Sequence, residues 1–193
     1  MFKKKKNREL LEAEINTHYS KRFRKFGATA KGVFWVSTER QETRFDIILR
    51  EIQKISPKQT VLDIADIGCG FGVSSLMIAN AFQNSKIYGF DIHSPSIENA
   101  NKEAKQMKIS NAIFKVADAE NYDGEFDIIT FFDCLHDMGD PLGASKYAFN
   151  HLKDDGTLIL IEPSAADDPE ENFNTIGQMY YAFSTMGCVP TSK

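Results

Sequence analysis

Cysteine is scarce: Cys69, Cys134 and Cys188 are the only three, an odd number with no C-x-x-C pair. That argues against both a disulfide framework and a zinc cluster, so no metal site is expected. No window approaches about 18 consecutive apolar residues, and the first residues lack the apolar core of a signal peptide. Neither membrane insertion nor export is expected, and the compartment expected is cytoplasmic. Positive charge is not in excess, the formal net charge being −4, so a nucleic-acid partner is not expected and the basic run Lys3 to Lys6 reads as a solvated terminus. G-x-G-x-x-G is also absent, because Val73 stands where its third glycine would be, which excludes the usual dinucleotide turn.

What is present begins with Val61 to Gly72, an apolar run that enters a turn with glycines at 68, 70 and 72. Apolar residues at helical spacing follow from Val73 to Phe82, which predicts strand, turn and helix in succession. In an open parallel sheet such a turn is a ligand site, because glycines let the ligand approach the backbone and free helix N–H groups face it. Asp66 puts a carboxylate at the strand tip, where it would repel a pyrophosphate and suit an α-ammonium or a sulfonium. Asp63 repeats the Asp-Ile start found again at Asp66, and within a strand its carboxylate needs a partner or an edge. Further strands are predicted at Lys86 to Asp91, Ala112 to Ala117, Phe126 to Asp133 and Thr157 to Ile161. Asp91, 19 residues beyond Gly72, is positioned to accept ribose hydroxyls.

The Asp-x-Gly-x-Gly turn resembles motif I of the class I S-adenosylmethionine-dependent methyltransferases, and the strand ending in Asp91 resembles motif II. Phe131-Phe132-Asp133-Cys134-Leu135-His136-Asp137-Met138-Gly139-Asp140-Pro141, with Ile161-Glu162-Pro163 and Tyr180-Tyr181-Ala182, is similar to bacterial small-molecule members of that family. The resemblance covers residues from about 60 to 190. It implies an α/β, Rossmann-like doubly wound sheet of parallel strands in order 3-2-1-4-5. It also implies S-adenosyl-L-methionine as cofactor and a small or medium-sized acceptor, with oxygen among the atoms methylated. Carried over residue by residue, the cofactor set is Asp66, Gly68, Cys69, Gly70, Gly72, Asp91, Ile92, Asp118, Ala119 and Asp133. His136 is the implied catalytic base, with Asp137 or Asp133 able to orient it. The bland readings are a turn cap for Asp118 and a packed, structural His136. An Asn-Pro-Pro-aromatic motif, associated with amino methylation of nucleic-acid bases, is absent.

Residues 1–58 read as an accessory helical segment and 59–193 as the cofactor-binding domain. Glu39 to Ile55 carries Phe45, Ile48, Leu49, Ile52 and Ile55 on one stripe, and Lys21 to Trp35 mixes basic and aromatic residues that cap a pocket or fasten the terminus. Pro163 to Lys193 lacks the alternation of strands six and seven, and Asn172 to Cys188 has helical spacing instead. The fifth strand is therefore expected at an open edge, covered by the terminal helix or paired with a second copy in a homo-oligomer. The missing strands and the doubled strand start also leave a non-catalytic cofactor-binding module as the alternative.

Overall fold

The stripe Phe45, Ile48, Leu49, Ile52 does form one face of a helix, α1 (Thr38–Ile55), in a computed structural model that describes residues 38–56 and 61–192. The Lys3 to Lys6 run, the Lys21 to Trp35 stretch and Pro57 lie outside the described residues. Ile48 and Ile52 are buried, whereas Ile55, on the same stripe, is 43% exposed at the helix end. The chain continues as β1 (Asp63–Ile67), α2 (Val73–Ala81), β2 (Lys86–Asp91), α3 (Ser94–Gln106), β3 (Ala112–Val116), β4 (Phe126–Phe132), α4 (Pro141–Asn150), β5 (Leu152–Ile161) and α5 (Thr175–Phe183). The five strands are parallel in order β3-β2-β1-β4-β5, the expected Rossmann-like arrangement.

Alternation along the central strands sends their side chains into two layers. Ile64 and Ile128 pack with Ile48, Ile52, Ile78 and Phe82 beneath α1 and α2. Ala65, Ile67, Ile129 and Phe131 face the other way, onto Phe90, Tyr122, Ala144 and Ala148 beneath α4. A third cluster joins Cys69 and Leu76 to Ile97, Ala100 and Ala104 of α3 and to Phe114 of β3. Met107, the C-cap of α3, is 54% exposed.

The doubled strand start resolves into two separate roles. Asp63 opens β1 with its backbone N–H donating to Asp127 Oδ2 at 2.7 Å, and Lys153 Nζ donates to Asp63 Oδ2 at 3.1 Å and to Asp127 Oδ2 at 2.8 Å. One ammonium thus neutralises two adjacent carboxylates at the amino end of the sheet. Lys153 reaches them because β5 starts ahead of the expected Thr157, and residues 153–156 form an irregularity inside it: Leu152 pairs with Phe126, yet Thr157 already pairs with Ile128. The polar Lys-Asp-Asp-Gly sequence bulges out while the flanking apolar residues keep the ladder.

After β5 comes a polar stretch and then α5, whose Asn174 Oδ1 accepts from the N–H groups of Ile176 and Gly177 as an N-cap. A π turn, Ser184–Cys188, continues it. No residue of α5 is buried, and Leu160 of β5 stays 48% exposed, so the helix does not bury that face of the edge strand. No helix among the described residues is long and apolar enough to cross a membrane.

Candidate active site at the carboxyl edge of the sheet

Parallel strands bring all their carboxyl ends to one edge, so residues far apart in sequence meet there. The turn after β1 is the floor. Gly68 and Cys69 both donate their N–H to the Phe90 carbonyl, at 2.8 and 3.1 Å, which ties the turn to β2. Gly68 has φ +69, and a Cβ there would lie 2.8 Å from Cys134 Sγ. Gly70, at φ +52, differs: a Cβ built on it meets nothing within 4 Å. The backbone at Gly70 therefore faces open space at the amino end of α2, a cradle that a ligand can fill.

Asp91 borders that space. Its Oδ2 accepts from the Gly70 N–H at 2.8 Å and its Oδ1 from the His93 N–H at 2.8 Å, which fixes the carboxylate plane. Each oxygen keeps a lone pair for a second donor such as a ribose hydroxyl. Ile92, the next residue, is 51% exposed on the same rim. Asp118 is exposed, and its Oδ1 accepts from the Glu120 N–H at 3.2 Å, as in a turn cap, whereas Ala119 is buried against the Phe90 and Tyr122 cluster.

Asp66 departs from expectation. It is 1% exposed and is not an open carboxylate aimed at a cation. Its Oδ2 accepts from Ser74 and Ser75 hydroxyls, each at 2.6 Å, and its Oδ1 from Thr130 at 3.1 Å. The register explains this, because Asp66 pairs with Thr130 across β1 and β4 and both point toward α2. Burial raises its pKa, the three hydroxyls oppose that shift, and the Asp91 charge adds to it. Asp66 holds the start of α2 under the glycine turn, so it acts on the turn's shape. Cys69 is likewise buried below the turn, and burial raises its thiol pKa.

The segment after β4 forms the opposite wall. Asp133 has a left-handed backbone at φ +59 and donates its N–H to the Ile161 carbonyl at 2.8 Å. Its Oδ2 accepts from Arg44 Nη1 of α1 at 3.5 Å. Cys134 Sγ donates to the Ile67 carbonyl at 3.2 Å, and burial raises its pKa too. Leu135–Asp137 is a single 3₁₀ turn that presents His136.

Glu162, which follows β5 in the Ile161-Glu162-Pro163 segment, organises this turn. Its Oε1 accepts from the N–H groups of Cys134 at 3.1 Å and Leu135 at 2.8 Å, and its Oε2 is hydrogen-bonded to His136 Nδ1. Asp137 Oδ1 stands 3.3 Å from His136 Nε2. Burial favours the neutral ring, but the hydrogen bond to Glu162 and the charges of Asp137, Glu162 and Asp133 outweigh it, so the His136 pKa is raised. The donor atoms of Asp133, His136 and Glu162 lie within 4.8 Å of one another, as do those of His136, Asp137 and Cys188. In the first set the His136 ring is hydrogen-bonded to Glu162, and Asp133 Oδ2 accepts from Arg44.

The open cradle at Gly70, the fixed acid at Asp91 and the hydrogen-bonded Glu162–His136 pair all lie along this carboxyl edge. The sequence profile of the family described as "Methyltransferase domain" matches residues 55–189. The chain belongs to the S-adenosylmethionine-dependent methyltransferase family.

Several methyltransferases resemble it. The YcgJ protein of Bacillus subtilis superposes with a TM-score of 0.58 at 24% identity, over 73% of this chain and 68% of that one, a likeness of fold. The ribosomal RNA small subunit methyltransferase C of Haemophilus influenzae is 28% identical over 152 residues, 74% of this chain and 44% of that protein. Trans-aconitate 2-methyltransferase of Deinococcus radiodurans is 23% identical over 118 residues, 61% of this chain and 44% of its own length. The chain thus spans less than half the length of these two curated relatives. One is named for an RNA and the other for a small acid, so the expectation of no nucleic-acid acceptor gains no support from them.

Proposed function

We propose that this methyltransferase binds S-adenosyl-L-methionine over Gly70 and Asp91 and methylates a hydroxyl of a small or medium-sized acceptor, with His136 as general base. When bound, S-adenosyl-L-methionine would supply the electrophilic methyl group of its sulfonium to the acceptor oxygen, with S-adenosylhomocysteine as the leaving group. On this reading Asp91 accepts the ribose hydroxyls, Gly68, Cys69, Gly70 and Gly72 shape the cradle, and Ile92, Asp118 and Ala119 border the adenine. Asp66 and Asp133 support the cradle from beneath and beside it. The observation that carries the reading is the Glu162–His136 pair, which stands across the sheet edge from the glycine turn.

Methyl transfer is an in-line displacement, so the protein's main contribution is orientation. A hydroxyl acceptor also needs its proton taken, and neutral His136 can take it. Glu162 holds the ring through Nδ1, which leaves Nε2, on the Asp137 side, as the atom that receives the proton. The carboxylates then stabilise the imidazolium. The acids along this edge, Asp118, Asp133, Asp137 and Glu162, together with the net charge of −4, favour a small acceptor over a polyanion.

The test is turnover of S-adenosylmethionine across a panel of hydroxyl acceptors, with S-adenosylhomocysteine as the measured product. Because the His136 pKa is raised and the neutral ring is the base, kcat/KM should climb with pH through that raised value. Glu162→Gln removes the largest charge-stabilising partner, so the rising limb should move to lower pH. His136→Ala should lower kcat about 100-fold or more and abolish the limb. A limb that stays in place in His136→Ala would sink the assignment.

A further inference from the structure

Resting on that reading, we infer that the acceptor pocket lies between the loop after β5 and helix α5, and that it selects a small aromatic acceptor carrying an ammonium group. The space is a cavity of about 440 Å³, toward the small end of the range for ligand pockets. It is lined on the helix side by Ile176, Tyr180, Tyr181 and Ser184, and on the loop side by Ser164 and Glu171 among others.

The segment that encloses it starts and finishes at the turn carrying His136. At its beginning Glu162 binds the N–H groups of Cys134 and Leu135 and the His136 ring. At its end Ser192 Oγ donates to the Asp137 carbonyl at 2.7 Å. The excursion over residues 163–191 therefore leaves from and returns to the turn that carries the proposed base.

The polar lining identifies the ligand by what is left over. The Asn172 amide is occupied: Oδ1 accepts from the Ala166 N–H, and Nδ2 donates to the carbonyls of Ala166 and Asp168. Asn174 is equally consumed, since Oδ1 caps α5 and Nδ2 donates to the Glu171 carbonyl. Among the described residues, Glu171 is the only ionisable group on the wall besides the tyrosines, and none of them is a cation. A wall that carries one carboxylic acid and two tyrosines suits an ammonium, which a carboxylate attracts and aromatic ring faces solvate. An anionic acceptor would meet that carboxylate with no positive charge among the described lining residues to offset it. The aromatic walls favour a flat ligand body.

The experiment is calorimetric titration of the full chain, with and without saturating S-adenosylhomocysteine, using three phenols of similar shape: tyramine, p-cresol and 4-hydroxyphenylacetate. Tyramine should bind about tenfold tighter than 4-hydroxyphenylacetate at low salt, with p-cresol between them. Glu171→Gln should weaken tyramine about fivefold, leave p-cresol within about twofold, and leave the S-adenosylhomocysteine affinity unchanged. Raising the salt should shrink the tyramine advantage in the wild type and not in the variant. An unchanged order of affinities in Glu171→Gln, a preference for the anion, or no binding of any probe overturns the inference. Failure of the methyltransferase reading shows separately, as loss of S-adenosylhomocysteine binding by the folded wild-type chain.

Discussion

Asp91→Ala is the most direct perturbation of the cofactor site. The carboxylate is held by two backbone N–H groups, those of Gly70 and His93, each at 2.8 Å, and so does not have to reorganise to receive a diol. A hydrogen bond to a charged group has a net worth of about 1.5–3 kcal/mol, and the two adjacent ribose hydroxyls share one carboxylate charge, so their joint loss is about one such increment. The expected net loss of about 1.5–3 kcal/mol is a rise of roughly 10- to 150-fold in the Kd for S-adenosylhomocysteine. Removing the carboxylate also leaves the Gly70 and His93 N–H groups to solvent, at about 1 kcal/mol each, so the melting temperature should fall by several degrees without loss of the fold. Isothermal titration with S-adenosylhomocysteine, alongside a thermal melt of each protein, reads both effects. A folded Asp91→Ala protein that binds within about threefold of wild type would refute the ribose role and, with it, the placement of the nucleoside over Gly70.

Two further perturbations separate function from fold. Gly70→Ala and Gly72→Ala make the same change two residues apart, but a Cβ at Gly70 meets open space while one at Gly72 lies 2.7 Å from the Phe114 ring and 2.9 Å from Ala100 Cβ. Gly70→Ala should cost only about 1–2 kcal/mol of stability from its backbone strain yet weaken S-adenosylhomocysteine about tenfold or more; Gly72→Ala should cost about 3–5 kcal/mol in urea unfolding. Equal stability losses in the two would contradict the geometry. At the far end of the sheet, burial would raise the Asp127 pKa, but Lys153 and the Asp63 N–H outweigh it and hold it below 3.8. Stability from that shift is present above the unfolded value and is lost as pH falls through the folded one. Lys153→Met should therefore flatten the acid limb of unfolding free energy below about pH 4 and cost about 1 kcal/mol at neutral pH, a small figure because the pair is partly solvated.

The strands, the helices and the glycine turn were legible in the sequence because they are local: apolar residues recur at the period of each element, and the glycine positions belong to one turn. The acids at 91 and 118 could be placed at strand ends for the same reason. Strand order followed from the family resemblance, since periodicity alone does not specify which strand lies beside which. The roles of single carboxylates were set by contacts that no spacing encodes. Asp66 was read as an open anion, but pairing with Thr130 turns it inward onto Ser74 and Ser75. Asp63, awkward within a strand, is settled by Lys153 from 90 residues away. Glu162 was indistinguishable from an ordinary strand-end acid until the β4–β5 pairing put its carboxylate under the His136 turn. By itself, then, the sequence determined the elements and the cradle, whose causes lie within a few residues of one another. Only the tertiary structure decided which acids are buried supports and which face the site, because that depends on the neighbour each strand acquires in the sheet.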